Sequence, residues 1–131
     1  MKKGAVVIPA EMQSVHDTYH YSPAVKDGSR LFCSGVIGSG PDGKPAEDPE
    51  TQFKQAFESL KSVLAAAGAS FADVVELMSF HVGLRTHLET FVKVKDIYMK
   101  HPYPTWTAIG ITELGLPGAL VEIKVTARLH S

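Results

Sequence analysis

Hydrophobic residues recur at helical spacing in two stretches of the chain. In DPETQFKQAFESLKSVLAAAG, Phe53, Phe57, Leu60 and Leu64 share a face, Asp48 stands where an N-cap belongs, Pro49 suits the first turn and Gly68 ends the run. The second helix is expected to begin at Thr86, where Thr86-x-x-Glu89 makes a capping box in which each side chain can bond the other residue's backbone N–H. Leu88, Phe91, Val92, Lys95, Tyr98 and Met99 then occupy one broad face, and the helix must end before Pro102. Strands fill the rest: Val6–Pro9, Ala24–Val25, Leu31–Val36, Val74–Val82, Trp106–Ile111 and Leu120–Leu129. Turn signals such as Lys26-Asp27-Gly28 and Gly115-Leu116-Pro117-Gly118 separate them.

A sheet covered by helices on one face should alternate apolar with polar residues, and these strands do so incompletely. In the fourth, Val75 and Leu77 are expected to point one way and Val74, Met78, Phe80 and Val82 the other. In the last, Val121, Ile123, Val125, Ala127 and Leu129 form an apolar face, with Leu120, Glu122, Lys124, Thr126 and Arg128 opposite. Two helices cover about one face of such a sheet, so the other calls for a second cover, most simply another copy of the chain. An obligate homo-oligomer is the expectation, with Glu122 on the face that association would cover.

The length of 131 residues and mass of 14.2 kDa fit one domain spanning residues 1–131. No window approaches the roughly 20 apolar residues of a membrane span, and the apolar run in MKKGAVVIPAEMQ is too short for a secretory signal, so a cytoplasmic protein is expected. A single cysteine, Cys33, fits a reducing compartment and reads as a small buried hydrophobe. The net charge of −1 gives no footprint for nucleic acid or anionic lipid, and Lys93, Lys95 and Lys100 are interrupted by Glu89 and Asp96.

Several motifs fail on inspection. GSGPDGKP, residues 38–45, follows phosphate-loop spacing until Pro45 replaces the hydroxyl residue that would hold Mg²⁺, leaving a turn at Pro41-Asp42-Gly43. His16 and His20 have i,i+4 spacing outside any helical pattern, and no Cys/His cluster completes a metal site. His81 and His101 lack a nucleophile partner and read as structural or solvated. No metal and no cofactor are expected.

The order of elements and several phrases resemble the reactive intermediate deaminase family, RidA/YjgF, also known as the endoribonuclease L-PSP family. The phrases are Tyr21-Ser22-Pro23-Ala24-Val25, Leu31-Phe32-Cys33-Ser34-Gly35, the helix from Gln52 to Gly68, Leu116-Pro117 and Val121-Glu122-Ile123. The resemblance implies a chorismate-mutase-like α+β subunit, with two helices packed on one face of a mixed six-stranded sheet. It also implies a homotrimer with small-metabolite clefts between subunits. Active members hydrolyse reactive enamines and imines to 2-oxo acids and ammonia, using an arginine to clamp the substrate carboxylate and a glutamate to handle water.

Carried over residue by residue, the resemblance makes Glu122 the catalytic carboxylate and places Tyr21, Gly35, Lys95 and Trp106 at ligand-binding positions. Lys95 meets an asparagine of the active members, and Trp106 meets the arginine. The Trp-Thr-Ala phrase fits the YjgH-like branch. An indole offers one N–H and no charge, so Trp106 cannot grip a carboxylate as a guanidinium does; it is either an aromatic wall for a different ligand or a hydrophobic plug. Three functions follow. The favoured one is a trimer that binds or processes a small metabolite other than the usual 2-imino acids. The alternative is an ordinary imine deaminase whose clamp lies elsewhere, at Lys95 or Arg85; the weakest is a ribonuclease.

Overall fold

The computed structural model describes residues 4–130, so Met1, Lys2 and Lys3 at the leading end lie outside the described residues. In chain order the elements are β1 (Val6–Val7), α1 (Gln13–Tyr19), β2 (Ala24–Asp27), β3 (Arg30–Cys33), β4 (Val36–Ile37), α2 (Pro49–Ala66), β5 (Val74–Val82), α3 (Leu84–Tyr98), β6 (Thr105–Ile111) and β7 (Val121–Arg128). The strands lie in the order β1-β2-β3-β7-β5-β6, with β4 also beside β7. All pairs are antiparallel except β5 and β6. Parallel neighbours need a crossover, and α3 supplies it.

The architecture is the expected α+β one, and α2 forms as its sequence dictates. The Thr51 backbone N–H donates to the Asp48 carboxylate at 2.9 Å, Pro49 occupies the first turn, and Phe53, Phe57, Leu60 and Leu64 are fully buried. Phe91 of α3 stands at the centre of the aromatic packing, with its ring centroid 5.6 Å from that of Phe53 and 5.8 Å from that of Phe57. Against these lie Leu31, Leu77, Ile123 and Val125 of the sheet, all buried.

Four local expectations need correction. The sheet has seven strands rather than six, because the run Leu31–Val36 is broken. Phe32 pairs with Thr126 but Val36 with Ile123, so one extra residue sits in the Cys33–Gly35 stretch and bulges it. A second bulge explains β5: Val74 pairs with Ala127 and Glu76 with Thr126, which leaves Val75 as the extra residue. Val74 therefore joins Leu77 on the buried face, and Val75 turns outward.

The third correction is α1, a third helix that includes His16. It buries no side chain, so it had no apolar stripe to betray it; the Gln13 side-chain amide bonds to Asp17 at 3.0 Å, and His20 closes the helix in a left-handed conformation. The fourth is the start of α3, which is Leu84 rather than Thr86. Gly83, with φ of 75°, turns the chain straight from strand into helix in a conformation that favours glycine, and no side chain caps the end. The inward stripe of α3 is also narrower than expected, because Leu88 is 37% exposed while Phe91 and Val94 are buried.

On β7 the alternation is as expected, with Val121, Ile123, Val125 and Ala127 buried and Glu122, Lys124, Thr126 and Arg128 on the other face. Among the described residues no helix covers that outer face. In-register pairing adds Val6, Val25 and Phe32 at one end and Met78, Phe80, Thr107 and Ile109 at the other. Val6 and Phe32 are 47% and 49% exposed.

Candidate functional site

Glu122 lies on the uncovered face, half-buried, with Ile37 and Phe80 beside it in register. Gly35 is what lets its carboxylate lie there: a Cβ on Gly35 would come within 2.4 Å of Glu122 Oε2 and 2.7 Å of its carboxyl carbon. Tyr21 is brought to the same place by Ser34, which sits in the bulge. The Ser34 hydroxyl donates to the Ser22 carbonyl at 2.7 Å, and its backbone N–H donates to the Pro23 carbonyl at 2.9 Å. Burial pushes the Tyr21 phenol above its ordinary pKa, and the Glu122 charge adds to the effect. Among the described residues no ion pair involves Glu122. Its carboxylate is therefore available for a water, a proton or a cationic group.

Gly35→Ala is expected to leave the fold intact, because the atoms it meets are the flexible end of a side chain, but to drive the Glu122 carboxylate off its place. The Tyr21 phenol, followed by NMR with ring-labelled tyrosine, should then titrate at lower pH. An unchanged Tyr21 titration would mean that the carboxylate keeps its position.

Lys95 and Trp106 are also brought together, but on the other face of the sheet. The Trp106 indole N–H donates to Ser79 Oγ at 2.9 Å, and Ser79 is fully buried on the helix-covered side of β5. Phe91 packs on the indole at 5.9 Å between centroids, and Lys95, one helical turn further along α3, holds its Nζ 4.9 Å from the ring centroid. Within one chain, the Tyr21–Gly35–Glu122 group and the Lys95–Trp106 group thus have the sheet between them.

Three further residues went unremarked or were read blandly in the sequence. Gln52 is fully buried on the apolar face of α2; its amide nitrogen donates to the carbonyls of Ala46 at 3.0 Å and Gly118 at 3.1 Å, and its oxygen accepts from the Leu120 N–H at 2.7 Å. It ties α2 to the entrance of the strand that carries Glu122, and a lone amide within a helical apolar stripe was the available signal. Ser79 shares its hydroxyl between Trp106 and His81, whose Nε2 lies 2.7 Å from Ser79 Oγ. His81 is 1% exposed and its Nδ1 has no partner among the described residues; burial, and then the charge of His87, pull its pKa down to about 4. Cys33 is buried as expected, and burial pushes its thiol up to about 12, far from a reactive thiolate.

Among the described residues no group of three or more His, Cys, Asp or Glu side chains could hold a metal ion, and no helix is long and apolar enough to cross a membrane. The family model described as Endoribonuclease L-PSP matches residues 12–129. The RutC family protein YjgH of Escherichia coli K12 is 41% identical over 130 residues, covering 98% of this chain and 98% of that protein. The 2-iminobutanoate/2-iminopropanoate deaminase of Dermatophagoides farinae is 31% identical over 112 residues, covering 79% of this chain and 81% of that one. A solved structure of protein YJGH matches with a TM-score of 0.88 at 39% identity, covering 99% of both chains. The chain belongs to the endoribonuclease L-PSP family, that of RidA and YjgF, in its YjgH-like branch.

Proposed function

We propose that the protein is a single-domain cytoplasmic homotrimer that binds or processes a small metabolite in clefts between subunits, and that it is not an efficient 2-imino acid deaminase. The observation that carries this is the placement of the two residue groups on opposite faces of one sheet. Glu122 of one copy and Trp106 of another can serve the same ligand only across a subunit boundary. The uncovered face, with Val6, Phe32 and Ile109 exposed, supports such an association. Trp106 has its only donor engaged by Ser79, so it has no fork to orient a carboxylate for attack. Tyr21, Gly35, Lys95 and Trp106 would contact the ligand, and Glu122 would act on it.

A second function, hydrolysis of 2-aminoacrylate-type intermediates to 2-oxo acids and ammonia, is favoured by Lys95, whose ammonium lies over the indole. The Dermatophagoides farinae relative is a deaminase of 2-iminobutanoate and 2-iminopropanoate by name, which lends this reading support. Light scattering tests the assembly, and turnover separates the two functions. Light scattering should report about three times 14.2 kDa, and hydrolysis of 2-aminoacrylate, generated in place by a serine dehydratase, should stay near background. A folded monomer at micromolar concentration would sink the trimer, and brisk turnover abolished by Glu122→Gln would establish the deaminase instead.

A further inference from the structure

The indole of Trp106 is gripped from inside the core by groups that the proposed function does not use. Its N–H ends on Ser79 Oγ at 2.9 Å, and that oxygen is 2.7 Å from His81 Nε2. An indole nitrogen can only donate, so Ser79 accepts from it and is free to turn its own proton toward Nε2. The result is a hydrogen-bonded line, Trp106 to Ser79 to His81, running from the edge strand β6 into β5. Both Ser79 and His81 are buried, and among the described residues His81 Nδ1 has no partner, a cost that the histidine itself brings to the line.

What the line fixes lies at its outer end. Phe91 and Lys95 stand four residues apart on α3, so both reach the same side of the helix; the Phe91 ring packs on the indole, and the Lys95 Nζ lies 4.9 Å from the indole centroid. The Lys95 side chain is only 14% exposed, and its one carboxylate contact among the described residues is a long one, 3.5 Å to Asp96 Oδ1. The ring and that carboxylate are the two groups beside its charge.

We propose that Ser79 and His81 are positioning residues, which lock the Trp106 indole so that it holds the Lys95 ammonium in place as a binding point for a ligand carboxylate. This rests on the cleft proposed above and narrows its ligand: the ammonium is a point charge rather than a planar fork, so it attracts a carboxylate without fixing its plane. Anionic metabolites then bind, while the orientation that rapid imine hydrolysis needs is not imposed.

The sole tryptophan reports on both halves of the arrangement. In the unmodified protein Lys95→Gln should shift the Trp106 emission, and in a Ser79→Ala background the same change should shift it at least about two-fold less, because the ring no longer sits beneath the ammonium. Equal shifts in the two backgrounds would overturn the positioning role. The carboxylate probe is 2-oxobutyrate, titrated against Trp106 emission. Saturable binding is expected, weakened about ten-fold by Lys95→Gln and by Ser79→Ala and restored in Ser79→Thr, which keeps the hydroxyl. No binding, or binding indifferent to Lys95→Gln, would overturn the carboxylate assignment, and Lys95→Gln decides this even if Ser79→Ala fails to fold. Glu122→Gln tells this idea from the cleft itself: in a cleft shared between copies the anionic probe gains affinity once that negative charge is removed, whereas an unchanged affinity there with the Lys95→Gln loss intact would sink the shared cleft and leave the Lys95 point standing.

Discussion

Gln52→Leu is expected to destabilise the protein by about 3 kcal/mol, although leucine is close to glutamine in size and better suited to an apolar stripe. The amide serves three backbone groups that have no other role in a helix or sheet: the carbonyls of Ala46 and Gly118 and the N–H of Leu120. Gly118 is exposed, so water can take over its carbonyl. The Leu120 N–H bears most of the loss, since it points at a fully buried side chain, and an unsatisfied buried donor costs about 1–3 kcal/mol. Gln52→Glu should be worse at neutral pH, because a carboxylate would face two carbonyl oxygens without a proton to offer. Urea midpoints at one fixed protein concentration measure both variants. A Gln52→Leu loss below about 1 kcal/mol would mean that water enters and replaces the amide.

Stability is expected to fall by about 3 kcal/mol as the pH drops from 6.5 to 4, through His81. Its folded pKa of about 4 lies below the ordinary 6.5, so in that interval the unfolded chain binds a proton that the folded one refuses. The contribution is full above pH 6.5, declines through the interval and levels off below 4. The neighbouring titratable group is His87 on α3, whose charge disfavours a second positive one. The carboxylates held low by their partners, Asp17, Asp48, Glu50 and Asp73, have unfolded values of 3.8 to 4.5 and lose their contribution only as the pH falls through that range and below. Above pH 5 the histidine should therefore act nearly alone. His81→Leu should be less stable at pH 7, with Ser79 deprived of a partner, yet nearly flat between pH 6.5 and 5. A slope there as steep as in the unmodified protein would assign the effect to another group.

The sequence made some parts of this molecule plain and concealed others for identifiable reasons. The helix α2 was legible because its cap, first-turn proline and stop bracket a regular stripe. The faces of β7 were legible because strict alternation survives along the whole strand. The bulges at Val75 and in the Cys33–Gly35 stretch were not, since an extra residue is defined only by what lies across from it in another strand. The same limit applies to the site. Tyr21, Gly35 and Glu122 could be nominated together through the family resemblance, yet the contact between Gly35 and the Glu122 carboxylate depends on a register that no local pattern states. That Trp106 faces away from Glu122 was hidden as well, because the phase of alternation on one strand is not tied to that on another until both are paired with β5.

The order of strands has a bearing on how such a protein can change over generations. Glu122 belongs to β7, which has neighbours on both sides, whereas Trp106 belongs to β6, which is paired on one side only. A substitution at Glu122 meets a paired residue on either flank, Ile37 and Phe80, whereas one at Trp106 meets a paired residue on one flank only, Leu77. The edge position is therefore the one from which a change of side chain spreads least through the sheet.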